Sequence, residues 1–511
     1  MTLFFLIMTS ITISGIAQTD SQIYKWSPTD KAKSSYPYML VGGDDNKVVS
    51  IFKERRRIIS VRSYSYDTME EKVYDTFELR EGMVIDEELF DSFFLDDKVY
   101  LFIDHYNYKE RDHSIYVRTL DLTSNTLSDP KLVHNIDKIK SNRRSSFMVG
   151  LCNDSTHFLV VAQDAFVRKS NTSFTGLYLD NELEAVWKKN FSLPYGAAFT
   201  EIEQLTADNE GNMHLSLEVA PEKNFNETEF RDRADRKFVL FSYFWKENKI
   251  KETDIDLADK WVAELTFDIS EKNEVVVSGF YSNDRYNSVA GSFYLRLNAN
   301  DLKIQASGLN PLDPKVVSAL IGTKKAEKGR EVPRMHLQHI IVHKEGGATL
   351  VGEQYWIRER NEYSINGGYY TRQIYYYMDL VVVKYNADGS VNWATAIPKR
   401  QESINDNGEF SSIAIANRND ELFIVFNDNA RNMELIGEGS ENLRNFNTMR
   451  SDPAYVSLDA EGNVSKQSPF KDTKGNFVLR PREFIQCSKD HMIILASRNG
   501  NERFCLFELV K

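Results

Sequence analysis

The chain has 511 residues, far more than one small domain needs to bury a core, and 12% of them are aromatic while only 12 are Pro, which favours β structure over helix or disorder. Its formal net charge of −12 excludes the dominant basic surface that nucleic-acid binding requires. Cys152, Cys487 and Cys505 are odd in number and contain no CxxC spacing, which excludes a disulfide framework and leaves three small apolar core residues.

In chain order, Leu3–Ile16 is apolar for about the length of a signal-peptide core and too short to span a bilayer. Gly15 and Ala17 supply small residues for cleavage before Gln18, although no Lys or Arg precedes the apolar run. Residues 1–17 therefore read as a signal peptide, and the mature chain as exported to the periplasm or the extracellular space, with no later membrane span. The basic clusters Lys53–Arg57 and Arg231–Lys237 sit among acidic residues and read as solvated loops.

From there a repeat dominates: a short polar turn followed by a strongly apolar strand. It occurs as DDNKVVSIF (44–52), DDKVYLFID (96–104), NDSTHFLVVA (153–162) and NEGNMHLSLEV (209–219). It returns as EKNEVVVSGF (271–280), KEGGATLVGE (344–353), RNDELFIVF (418–426) and SKDHMIILAS (488–497). Another alternating stretch precedes each copy, and a third strand follows after a variable gap. That strand ends in a tight turn such as Asp388-Gly389, and a more polar fourth strand leaves it. Alternation bounded by Asn, Asp and Gly is the strand and hairpin signal, and units of roughly 50–70 residues with four antiparallel strands are propeller blades. The last unit, ending in RFCLFELVK, lacks a fourth strand, while an orphan strand, Gln22–Trp26, stands before the first. We therefore expect an all-β chain: one β-propeller over residues 18–511, of eight four-stranded blades (seven as the alternative), its ring closed by the N-terminal strand.

Excursions concentrate between second and third strands: 220–236, 355–378 and 427–452. In a four-stranded meander these emerge at the same end as the links between blades. The one large inter-blade insertion, Leu309–Arg334, should share that face. Within it, Asp313-Pro314 reads as an N-cap with Pro at the first helical position, predicting a short helix over Pro314–Ile321. One-sided insertions on a repeat ring mark a binding face. The hairpin over 355–378 offers Trp356, Arg358, Arg360, Tyr363, Tyr369, Tyr370 and Arg372 around a Gly367-Gly368 turn, residue types that dominate protein contacts or stack on sugars. The competing reading packs this arm down on neighbouring loops, and Tyr375-Tyr376-Tyr377 read as ordinary strand residues.

Catalytic signatures are missing: no GxSxG, HExxH, Walker or dinucleotide motif occurs. His336, His339 and His343 fall on a first-strand position, where His339 and His343 share one side and His336 points away, so they read as structural rather than metal-binding. The Asp-Asn-Gly turns lack the calcium-loop spacing. Neither a metal nor a cofactor is expected.

The repeat as a whole resembles the β-propeller superfamily, and VKYNADGSVNW (383–393) is similar to the third-to-fourth strand turn of exported bacterial propellers. WD, kelch, NHL and Asp-box motifs are absent, so the resemblance carries over no functional residue. The expectation is an exported, monomeric, non-catalytic binding or scaffold protein that engages a protein or glycan partner through its long-loop face. The alternative is a carbohydrate-active hydrolase or lyase using carboxylates near the central channel.

Overall fold

The computed structural model describes residues 23–31, 35–54, 57–80, 82, 84–137, 144–152, 155–167, 169–220, 236–284, 288–364, 368–433, 442–447, 451–470 and 477–510. The segment read as a signal peptide, Gln22, most of the 220–236 excursion and Gly367 fall outside these residues. Among the described residues the chain forms eight antiparallel sheets of four or five strands, plus one two-stranded ribbon. In sequence order the sheets cover 35–78, 85–136, 146–196, 200–254, 261–311, 335–404, 414–467 and 478–508. The architecture is a β-propeller.

Its core follows from strand alternation. In sheet three, Phe158–Ala162 is buried on both faces. Phe158 and Val160 join a cluster with Tyr100, Phe102, Ile115 and Val117 of sheet two, while Leu159 and Val161 join one with Leu215, Leu217, Val239 and Phe241 of sheet four. Successive side chains of one strand thus serve two different interfaces. Burying each such side chain fully stabilises by about 1.5–3 kcal/mol. The same division repeats around the molecule, with each of the eight apolar clusters spanning two neighbouring sheets. In one of them Val48, Phe52 and Tyr64 of sheet one meet Ile493, Leu495 and Phe504 of sheet eight.

The N-terminal strand joins sheet eight. Tyr24–Trp26 pairs antiparallel with the last strand, Asn501–Glu508, with Tyr24 opposite Phe507 and Trp26 opposite Cys505. A second short strand, Asp30–Lys31, extends that edge at Glu502 and Asn501 and was not legible in the sequence. All three cysteines are buried free thiols.

Two elements hold the long excursions in place. The helix α1, Pro314–Ile321, begins where expected, and the Asp313 carboxylate accepts from the Lys315 N–H at 2.7 Å. The insertion that carries it starts later than Leu309, however, because the outer strand of sheet five runs through Ile304–Pro311 and pairs up to Gly291–Pro311. A four-residue helix, α2, covers Thr323–Ala326. The two-stranded ribbon joins Ser288–Val289, in the excursion of sheet five, to Val332–Pro333 at the end of the insertion. Excursions and inter-sheet links are therefore physically paired on one face.

Tight turns close the opposite end. At Asp388-Gly389 the Asp388 carboxylate accepts from the Ser390 N–H at 2.9 Å, and Gly389 has φ +88°. A Cβ there would stand 2.6 Å from the Ser307 carbonyl carbon of sheet five, so both the conformation and the close approach require glycine.

Candidate binding face

The arm continues sheet six. Its strands, Ala348–Ser364 and Gly368–Tyr385, pair without interruption from Tyr355–Tyr377 to Ser364–Gly368. The link to sheet seven adds a third strand at its base, with Ile374 opposite Ile404 and Tyr377 opposite Gln401. Asn445, from the excursion of sheet seven, bonds both the N–H and the carbonyl of Glu402 at 2.7 and 3.0 Å. The arm is thus buttressed at its root.

Cross-strand partners share a face, and this divides the candidate residues. Trp356, Arg358, Arg360, Tyr370 and Arg372 lie on one face, whereas Tyr363 and Tyr369 lie on the other. Tyr363 and Tyr369 meet edge to face at 5.2 Å near the tip and are 67% and 82% exposed. On the first face Glu362 gathers three partners: Tyr370 OH donates at 2.8 Å, and Arg372 and Arg360 stand at 3.1 and 3.9 Å. The Tyr370 hydrogen bond and the two guanidiniums hold the Glu362 carboxyl below its ordinary range. Arg358 is exposed.

Nearer the root, Trp356 stacks on Tyr376 at 4.7 Å and 12°, and the Arg334 guanidinium lies 4.8 Å from its ring centre. Tyr376 lies within the returning strand, as read from the sequence, and its ring covers one side of Trp356. The stack forms because the bulge between Glu353 and Tyr355 resets alternation at the arm's start.

Beside this stack lies a groove of about 740 Å³, walled by α1 and α2 on one side and by Pro333, Gln354, Trp356 and Met378 on the other. Of the candidate binding residues named from the sequence, only Trp356 lines it. Arg334, Met378, Lys315 and Lys325 went unnoticed, since their meeting depends on where the insertion docks.

A second cavity, of about 550 Å³, is lined by the first strands of sheets four, five and six and by Ser216, Glu218 and Phe238 of sheet four. It presents Glu203, Glu264, Asp268 and His339. Glu264 is engaged, accepting from the Leu337 N–H at 2.6 Å and bonding His336 Nδ1 at 2.8 Å. Surrounding protein pushes the Asp268 carboxyl up, with the Ile269 N–H offsetting part of the effect, and pushes the His339 imidazole down. Simple alternation does not hold for the histidines: a bulge between Leu337 and His339 leaves His339 lining the cavity, while His343 lies past the strand end and bonds Thr349 Oγ1 at 2.8 Å. Among the described residues no cluster of three or more His, Cys, Asp or Glu is placed to hold a metal, and no helix is long and apolar enough to cross a membrane.

Two Ser/His/Asp groupings also went unread. His214 bonds Ser242 Oγ at 2.7 Å and Asp208 at 3.4 Å, all three fully buried. His113 bonds Ser145 Oγ at 2.6 Å and Asp104 at 2.8 Å, with Ser145 and His113 also buried. Hydroxyls closed off in this way staple strands and links together rather than attack a substrate.

No family model matches the chain, and no curated protein matches it in sequence. Among solved structures it is similar to the polysaccharide lyase Uly1, at 8% identity and TM-score 0.40, over 86% of this chain and 92% of that one. It is also similar to the WD40 domain of SCAP from fission yeast, at 9% identity and TM-score 0.42, over 94% and 98% of the two chains. For dipeptidyl peptidase 4 of Porphyromonas gingivalis the figures are 12%, 0.45, 92% and 57%. These similarities go no further than architecture; the assignment of this chain to the β-propellers rests on its own sheet order and packing.

Proposed function

We propose that the protein is an exported, non-catalytic binding or scaffold β-propeller that engages a protein or glycan partner through its long-loop face. In this reading the eight sheets are the blades of one ring, closed by the N-terminal strand completing the last blade. The observation that carries the functional part is the groove of about 740 Å³ between the helical insertion and the Trp356–Tyr376 stack, at the root of an arm whose tip exposes Tyr363 and Tyr369. A rigid three-stranded root presenting aromatic and Arg side chains is suited to recognition, because little conformational freedom is lost on binding. Replacing residues 357–375 by a tight turn, with Trp356 and Tyr376 kept, should abolish capture of partners from native extracts and of ligands on a glycan array. Unchanged capture would sink the proposal.

The carbohydrate-active alternative draws on the cavity lined by Glu203, Glu264 and Asp268. In that case a raised Asp268 carboxyl would act as general acid and a second carboxylate as base or nucleophile. Release of reducing ends from a polysaccharide panel, lost in Asp268→Asn, would favour it over the binding reading; no turnover would remove it.

A further inference from the structure

The groove at the root of the arm also restricts what kind of partner fits, an inference that rests on the binding reading above. Among the described residues, Lys315 and Lys325 are the only ionisable ones lining it, a local reversal of sign in a chain of net charge −12. Neither ammonium has an ion-pair partner among the described residues, and Arg334, beside the groove on Trp356, has no carboxylate partner either. Between the lysines the walls turn apolar at Pro314, Ile321 and Met378. Tyr376 and Arg334 already occupy the flat surface of Trp356, which removes the stacking platform a sugar ring would use.

Backbone supplies the second observation. The first strand of sheet six, Met335–Val342, pairs with Ala348–Ser364 only as far as Met335–Gln354, and the last contact is Tyr355 N–H donating to the Arg334 carbonyl at 2.9 Å. Beyond it, residues 356–364 are paired along one edge with the returning strand, and no strand covers the other edge among the described residues. The groove opens where that pairing stops, since Pro333, Gln354 and Trp356 line it. A free edge is a row of backbone donors and acceptors at peptide spacing, which another polypeptide matches and a saccharide does not.

We propose that this groove binds an extended protein segment in which acidic and apolar side chains are interspersed. The segment adds as a strand to the free edge from Trp356 onward. It sets apolar side chains against Ile321 and Met378 and presents carboxylates to Lys315 and Lys325.

The test uses the full mature chain and fluorescence anisotropy with short labelled peptides of repeating Glu-Glu-Leu-Leu, Lys-Lys-Leu-Leu or Glu-Glu-Ser-Ser, and with labelled oligogalacturonate. The Glu-Leu peptide should bind, the other two peptides at least about tenfold more weakly. The double variant Lys315→Glu/Lys325→Glu, exposed at both positions and so without effect on folding, should weaken the Glu-Leu peptide by about tenfold or more. Methylating alternate backbone nitrogens of the peptide should abolish binding, because a strand so modified cannot pair. Binding that ignores the charge reversal or the methylation overturns the proposal. So does lysine-dependent binding of oligogalacturonate without the peptide, which would assign the groove to an acidic glycan. Loss of partner capture on shortening the arm, combined with no preference for the Glu-Leu peptide, overturns this inference alone and leaves the binding reading standing. Capture that survives shortening removes both.

Discussion

At the scale of single residues, the sharpest case is the ion pair between Glu353 and Lys399, 2.7 Å apart with both side chains fully buried at the root of the arm. Ser412 Oγ donates to Glu353 at 2.7 Å, Lys399 Nζ donates to Gln401 at 2.8 Å, and the Lys399 N–H donates to Asp379 at 2.9 Å. Burial pushes the Lys399 ammonium below its ordinary range, against the pull of Glu353 and Asp379. Removing one partner strands the other charge, so Lys399→Met should cost about 3–5 kcal/mol in urea unfolding, and Glu353→Leu/Lys399→Met distinctly less. Equal costs for the single and double variants would refute the account. Neither residue could be picked from the sequence, where Lys399 in IPKRQ looks like any solvated charge, because Glu353 and Asp379 stand on other strands of sheet six, far back along the chain. Asp91 offers a pH test. Burial on an inner strand raises its carboxyl to about 6, with the Ser92 N–H offsetting part. A raised carboxyl is more easily protonated folded than unfolded, so its contribution is full below about pH 4 and is lost as pH rises through 6. Asp91→Asn should therefore gain about 1–3 kcal/mol at pH 7 and nothing near pH 4, and a carboxyl resonance titrating below 4.5 would refute this.

At the scale of elements, local rules were legible and long-range docking was not. The Asp313-Pro314 pair announced α1, since a cap and a fixed φ act within one turn. Asp313→Ala should cost about 1 kcal/mol, read as faster hydrogen exchange over 314–321 with the sheets unchanged. The arm's aromatic and Arg content was also visible, but its division into two faces needed the Trp356–Tyr376 register, and its third strand needed residue 404 to find residue 374. No periodicity within a segment encodes a pairing between residues so far apart in the chain, or the register that the bulge at Glu353/Tyr355 sets. The described residues between 356 and 374 contribute nothing to the eight apolar clusters. Shortening the arm between Trp356 and Tyr376 should consequently leave the thermal midpoint within a few degrees of the parent, since a loss of about 1 kcal/mol moves a large domain by only ~2–4 °C. A larger fall would mean the arm is part of the core.

At the scale of the whole molecule, the sequence pattern carried furthest because a ring repeats one local rule: alternation on inner strands, apolar runs on central ones, polar turns between. The orphan N-terminal strand was expected to complete the last sheet and does so, and here the structure allows a decisive test. Tyr24–Trp26 pairs with the final strand, Ser27 bonds Phe504 through both its N–H and its hydroxyl at 3.0 and 2.9 Å, and Arg503 lies 3.9 Å over the Trp26 ring. Lys25 reaches across to the Tyr66 carbonyl of sheet one at 2.9 Å, so the segment ties the two ends of the chain together. Removing residues up to Lys31 would uncover the edge of Asn501–Glu508 and the apolar surface around Phe470 and Phe477 that Trp26 covers. The shortened chain should unfold at a clearly lower temperature and elute earlier than the parent on size-exclusion chromatography, and a synthetic peptide spanning residues 18–33 should restore the parent's elution when added in excess. Binding of that peptide would be abolished by Trp26→Ala, which removes the Arg503 and Phe470 contacts while leaving the backbone able to pair. If the shortened chain keeps the parent's elution and midpoint, the N-terminal strand is an ornament, and the apolar contact between sheets one and eight holds the ends together by itself.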